Sequence, residues 1–117
     1  MYILYVEDEP NDAQLVERYA KASGYQMTVA RNIGDAWAAL AHNPDLILVD
    51  ILLNQSRQGY QFIKELRTKG YQQPIIAVTG LTLPTDMEDC RRAGCDDVIT
   101  KPYNITLLAQ TINRYTL

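Results

Sequence analysis

The sequence predicts an α/β fold: a five-stranded parallel sheet, doubly wound by helices into a (βα)5 three-layer sandwich. Three observations carry this expectation. Strand-like and helix-like segments alternate from one end to the other. The runs Tyr2-Ile3-Leu4-Tyr5-Val6, Leu46-Ile47-Leu48-Val49, Ile75-Ile76-Ala77-Val78 and Val98-Ile99-Thr100 are apolar on both faces, as buried parallel strands are. Each run ends on polar residues: Glu7-Asp8, Asp50, Thr79 and Lys101-Pro102.

The elements follow in order. Pro10-Asn11 opens a helix from about Asp12 to Ala22, with Leu15, Val16, Tyr19 and Ala20 facing inward and Gly24 as its stop. Tyr25 to Ala30 reads as the second strand. Asn32 caps a second helix holding Ala36, Trp37 and Leu40, and Pro44 closes that region. Leu46 to Asp50 is the third strand. A polar loop leads to a helix from about Gly59 to Lys69, with Phe62, Ile63 and Leu66 inward and Gly70 as its stop. The fourth strand follows Pro74, and a fourth helix runs from Pro84-Thr85 to Gly94. Asp97 to Thr100 is the fifth strand. Asn104 caps a last helix with Ile105, Leu108 and Ile112 at helical spacing.

Bulk properties narrow the function classes. A length of 117 residues suits one domain spanning 1–117 and is short for two. A formal charge of −3 and the lack of a basic stripe argue against direct nucleic-acid binding. No apolar stretch approaches the roughly 20 residues that span a membrane. The N-terminus lacks the pattern of a signal peptide, so the cytoplasm is the expected compartment. Cys90 and Cys95 are not spaced as a metal or redox motif. His42 sits near the end of the second helix, where an imidazolium suits the helix dipole.

The strand ends carry the chemistry. Parallel strands place their carboxyl ends on one edge, where ligands bind. In a flavodoxin-like strand order the first and third strands are neighbours, so Glu7, Asp8 and Asp50 converge at the switch point. Taken singly, each acid reads as a solvated loop starter, Thr79 as a β-branched strand residue and Lys101 as a surface lysine. Taken together they describe a site for Mg²⁺ and phosphate, because a hard divalent cation relieves the repulsion of clustered carboxylates. Asp50 is the candidate nucleophile for a phosphoryl group. Lys101 supplies a mobile positive charge, with Lys101-Pro102 a candidate cis peptide. Thr79 offers a hydroxyl, and Gly80 permits unusual dihedrals and a close backbone N–H.

With these residues in place, the whole chain resembles the receiver (CheY-like) domain of two-component response regulators. Four segments carry the resemblance: Ile3 to Pro10, Pro44 to Asp50, Pro74 to Gly80, and Ala93 to Pro102. The resemblance implies that Asp50 is the phosphoacceptor. It implies that Asp8 binds Mg²⁺ directly with Asp50 and the backbone carbonyl of Leu52, and that Glu7 acts through water. Thr79, Gly80, Lys101 and the Leu52 backbone would hold the phosphoryl group. The implied phosphodonor is a phosphohistidine on a sensor kinase or phosphotransfer protein. The implied output is a face made of the fourth helix, fifth strand and fifth helix, which docks a downstream protein or a fused output domain. Leu107, Tyr115 and Leu117 would leave apolar surface there for a partner or a second copy.

The sequence departs from the family pattern at three points. Val98 stands where a Tyr or Phe is usual. The loop after Asp50 has Asn54 where Pro is common, and Gly59 comes one residue late. Glu7 replaces the commoner Asp. Leu52 and Leu81 flank the site with apolar groups, so an attached phosphoryl group is expected to hydrolyse slowly. Other readings share the residues. A phosphohydrolase of the haloacid-dehalogenase type needs a second acid at Leu52, and no general acid stands beside Asp50, so the chain is not expected to be an enzyme. A pseudo-receiver that is not phosphorylated is the alternative that Val98 and the longer loop favour. A flavin site would need a phosphate-binding loop where Glu7 and Asp8 stand.

Overall fold

The computed structural model describes residues 1–81 and 83–116. Its strands are β1 (Tyr2–Val6), β2 (Gln26–Ala30), β3 (Leu46–Asp50), β4 (Ile75–Thr79) and β5 (Asp97–Thr100). They form one parallel sheet in the order β2-β1-β3-β4-β5, the order the sequence led us to expect. The register sets Val6 beside Val49, Asp50 beside Val78, and Thr79 beside Thr100. β3 and β4 are buried along their whole length, whereas β2 and β5 are edge strands and only half-buried.

The helices are α1 (Pro10–Ala22), α2 (Ile33–Ala39), α3 (Gln58–Thr68), α4 (Pro84–Ala93) and α5 (Ile105–Asn113). They divide between the two faces. Val16, Leu108 and Ile112 pack with Ile3, Tyr5, Leu48 and Ile76 on the face covered by α1 and α5. Ala36, Phe62, Ile63, Leu66 and Cys90 pack with Leu4, Val49 and Ala77 on the face covered by α2, α3 and α4. On that second face Trp37 sets its ring edgewise on Phe62, with centroids 5.0 Å apart. Among the described residues, no helix is long and apolar enough to cross a membrane.

Local signals explain most boundaries. Asn32 Oδ1 accepts from the Asp35 N–H at 2.8 Å and Asn104 Oδ1 from the Leu107 N–H at 2.8 Å, so both asparagines cap their helices as read. The differences are local. α1 begins at Pro10 rather than near Asp12, because the Glu9 carboxylate accepts from the Asn11 N–H and proline suits the first helical position. Its buried stripe is Ala13, Val16 and Ala20, with Leu15 and Tyr19 at the margin. Tyr25 belongs to the end of α1 rather than to β2, since its N–H closes back on the Ala20 carbonyl across Gly24 at φ 74°. Leu40 falls in a short 3₁₀ turn, Leu40–His42, rather than in α2. Ile105 does not face the core; it is 43% exposed. The first turn of α5 stands at the carboxyl edge, beyond the end of β5, and its buried stripe starts at Leu108.

The loop from β3 to α3 accommodates its late glycine by a tight turn. Leu53 and Ser56 exchange backbone hydrogen bonds around Asn54 and Gln55, which sit at φ 52° and 60°. Two left-handed residues between paired positions are the pattern of a type I′ turn. After that turn, α3 runs hard against the end of β3. A Cβ on Gly59 would lie 2.4 Å from the Asp50 carbonyl oxygen and 2.5 Å from Ile51 Cα. Only glycine fits there without moving backbone. Gly59→Ala is therefore expected to destabilise the fold by about 1–3 kcal/mol. A urea midpoint equal to that of the parent protein would show that the approach relaxes freely.

Candidate functional site at the carboxyl edge of the sheet

β1 and β3 are adjacent and parallel, so their ends deliver Glu7, Asp8 and Asp50 to one place. One carboxylate oxygen from each lies within 4.8 Å of the others. Glu7 and Asp50 are buried, while Asp8 is open to solvent. The Glu7 N–H bonds the Ala30 carbonyl at 2.9 Å, which extends the β1–β2 ladder and turns the side chain inward. Asp50 Oδ1 accepts from the Leu52 N–H at 3.1 Å, and Asp8 Oδ2 accepts from the Asn54 N–H at 2.7 Å. Among the described residues, no donor reaches the Leu52 carbonyl.

Among the described residues, the one ammonium of the site comes from Lys101, directly after β5. The Lys101 N–H bonds the Thr79 carbonyl at 2.8 Å, prolonging the β4–β5 ladder, and the Lys101-Pro102 peptide is cis. From there Lys101 Nζ lies 3.2 Å from Glu7 Oε2, 3.2 Å from Asp50 Oδ2 and 2.9 Å from Asp12 Oδ2. All three N–H donors of the ammonium can be satisfied by carboxylates. Beneath this cluster the Tyr5 hydroxyl donates to Glu7 Oε2 at 3.2 Å. Burial and the neighbouring Glu7 push the Tyr5 hydroxyl far up, so it stays protonated. Burial would lower the Lys101 pKa, but the Asp12 hydrogen bond and the charges of Asp50 and Glu7 raise it on balance. Burial, a hydrogen bond with Asp50 and the Asp50 charge push Glu7 up to about 8, against the pull of Lys101. A proton held on Glu7 thus answers the same repulsion that a cation would.

Thr79 is fully buried at the end of β4, and its Oγ1 accepts from the Leu81 N–H at 2.9 Å. Among the described residues its hydroxyl proton has no acceptor. Gly80 corrects one expectation: it does not adopt positive φ, and a Cβ there would meet nothing within 4 Å. Glycine here keeps the backbone open to approach rather than granting an unusual conformation. Leu52, whose N–H bonds Asp50, is 37% exposed, and Leu81, whose N–H bonds Thr79, is half-buried. Val98 is half-buried and packs toward the α2–α4 face. Cys90, Cys95 and His42 take no part in the acidic cluster. On α5, Leu107 is 38% exposed, while the Tyr115 hydroxyl bonds Asp97 and the Asp96 carbonyl. Leu117 lies outside the described residues.

The sequence reading missed Asp12. It sits in the first turn of α1, four residues after Asp8, where a helix begun at Pro10 returns its side chain to the sheet edge. With Asn11, Leu15, Lys101, Pro102 and Tyr103 it lines a cavity of about 340 Å³ that leads to the ammonium. Tyr5 was read only as strand core, because its position in the run gives no hint that the hydroxyl reaches Glu7.

Comparison with known proteins agrees with this geometry. Residues 3–113 match the response regulator receiver domain family, and the chain belongs to that family. It is 34% identical to the polar-differentiation response regulator DivK of Brucella anthropi, covering 97% of this chain and 94% of that protein. It is 30% identical to the sensor histidine kinase RcsC of Escherichia coli K12 over 98% of this chain, but spans only 12% of the kinase. The BeF3-activated N-terminal receiver domain of Klebsiella pneumoniae RstA superposes with TM-score 0.89 at 26% identity, covering 98% of this chain and 97% of that one.

The raised Glu7 pKa makes metal-free stability depend on pH. The folded state holds a proton between the ordinary value of 4.5 and about 8, where the unfolded chain does not. Stability from this group is fully present below the lower value and is lost as pH rises through the upper one. The thermal midpoint without divalent cation is expected to fall across that window. Mg²⁺ should flatten the decline at its alkaline end, and Glu7→Gln should remove this component. A decline of equal size in Glu7→Gln would assign it to other groups.

Proposed function

We propose that the chain is a phosphoacceptor: Asp50 takes a phosphoryl group from a phosphohistidine on a sensor kinase or phosphotransfer protein. The observation that carries this reading is the convergence of Asp50 with Glu7, Asp8 and Lys101 within direct reach of one small ligand. In the transfer an Asp50 carboxylate oxygen attacks phosphorus. The phosphorus–nitrogen bond to the donor imidazole breaks, and its electron pair remains on that nitrogen. Lys101 would follow the negative charge from the Asp50 carboxylate to a phosphoryl oxygen, and the Thr79 hydroxyl and Gly80 N–H would donate to the others.

The donor set suits Mg²⁺, a hard cation that prefers oxygen ligands and retains water. Asp8, Asp50 and the unengaged Leu52 carbonyl would hold it directly, with Glu7 acting through water. Bound there, it would offset the repulsion between phosphoryl oxygens and carboxylates.

In this reading residues 1–117 form one receiver domain, cytoplasmic and without turnover of its own. Phosphorylation would repack the face of α4, β5 and α5 toward a downstream protein, a fused output domain or a second copy through exposed Leu107. Neither nucleic acid nor membrane is a direct partner. The kinase RcsC carries a related segment within a longer protein, which supports a phosphorelay setting.

Incubation with Mg²⁺ and acetyl phosphate is expected to add one phosphoryl mass to the protein and none to Asp50→Asn. No gain in either would favour the unphosphorylated interaction module, and repeated consumption of donor would favour an enzyme. Leu52 offers an attacking water no hydrogen bond, so the phosphoryl group should persist. Leu52→Asn is expected to shorten its half-life severalfold, and an unchanged or longer half-life would count against shielding by Leu52.

A further inference from the structure

The acidic site is tied to α4 by a continuous set of contacts through the β3–α3 loop. Asp8 Oδ2 holds the Asn54 N–H at 2.7 Å, and Asp50 Oδ1 holds the Leu52 N–H at 3.1 Å. Both anchors lie on a loop stiffened by the paired Leu53–Ser56 turn and wedged against β3 by Gly59. The next residue of that loop, Arg57, reaches across to α4, where its guanidinium donates to Asp86 Oδ1 at 3.2 Å. Asp86 is 2% exposed although it is charged. Its second oxygen accepts from the Leu83 N–H at 3.1 Å, fixing the first turn of α4. One turn into α3, the buried Tyr60 hydroxyl donates to the Asp86 carbonyl at 3.2 Å and receives the Cys90 thiol at 4.0 Å.

On the β5 side Lys101 joins the site, but among the described residues no hydrogen bond runs on from it to α4. Among the described residues, the only hydrogen bond at Thr79 Oγ1 comes from Leu81, and Val98 has no polar side-chain atom to receive it. A buried carboxylate with one charged partner is sensitive to that partner's position, since moving it leaves the charge uncompensated. A small shift of the loop therefore changes the energy of the first turn of α4 more than a shift of an exposed pair would.

We propose that Arg57, Tyr60 and Asp86 couple occupancy of the acidic site to α4 through the β3–α3 loop. When a cation and a phosphoryl group draw Asp8 and Asp50 away from the Asn54 and Leu52 amides, the loop shifts. Arg57 and Tyr60 then carry the shift to Asp86 and the start of α4. The coupling rests on the phosphoacceptor reading of Asp50. It goes beyond that reading in naming the route and the residues.

The test is amide NMR of the whole chain with Mg²⁺ and beryllium trifluoride as the phosphoryl mimic. In the parent protein, shifts are expected both at 52–54 and at 86–90. Arg57→Ala removes an exposed side chain and should keep the first set while reducing the second about threefold or more. Asp86→Asn, which retains an acceptor for the Leu83 N–H, should do the same. Undiminished shifts at 86–90 in both variants would overturn the coupling and leave the phosphoacceptor reading standing. Absence of any shift at 52–54 in the parent protein would overturn that reading and the coupling with it.

Discussion

Three carboxylates share one ammonium at the carboxyl edge of the sheet, and a fourth lies close by. Glu7, Asp12 and Asp50 all touch Lys101, and Asp8 stands beside them. Two like charges 4 Å apart repel by about 4 kcal/mol at an effective dielectric constant near 20. The pocket is poorly balanced by its own lysine. A proton on Glu7, a hard cation or a phosphoryl group held with its cation would each change that balance. The rest of the structure keeps the charges from moving apart. Strand pairing fixes Glu7 and Asp50, the ladder bond from Lys101 to Thr79 fixes the lysine, and the close approach of α3 leaves β3 no room to retreat.

The parts legible in the sequence are those whose position follows from strand direction. A run apolar on both faces, ending on Asp50, Thr79 or Lys101, places that residue at the carboxyl edge whatever the details of packing. The helix caps at Asn32 and Asn104 were equally local and equally readable. Asp12 was harder because its role depends on α1 starting at Pro10, a shift of only two residues that swings a side chain through about half a turn. Arg57 and Asp86 lie 29 residues apart and meet only because α3 and α4 pack side by side on one face of the sheet. No periodicity records that meeting. Gly59 was noticed as a departure in spacing, yet the reason for it lay in the turn around Asn54 and Gln55.

A second network holds the opposite end of the same layer. The Arg67 guanidinium donates to the carbonyls of Tyr71, Gln73 and Gly94 and to Asp96, whose carboxylate also accepts from the Ile75 N–H. It clasps the end of α3 to the starts of β4 and β5. α3 is therefore pinned at its far end by a multidentate cation and at its near end by Gly59 against backbone. A helix held at both ends keeps Tyr60, its buried polar residue facing α4, in place against the Asp86 carbonyl.

The chain order of the strands bears on how the molecule comes to exist. β1 and β2 emerge first and can pair at once, but the other edge of β1 must wait for β3, which lies beyond α2. Every pairing joins segments separated by a helix, so no local hairpin can nucleate the sheet. Lys101 follows the last strand. During synthesis on the ribosome, the acids of β1 and β3 are assembled before their counterion leaves the exit tunnel. Any pairing of β1 with β3 formed before then would hold those acids together without their lysine.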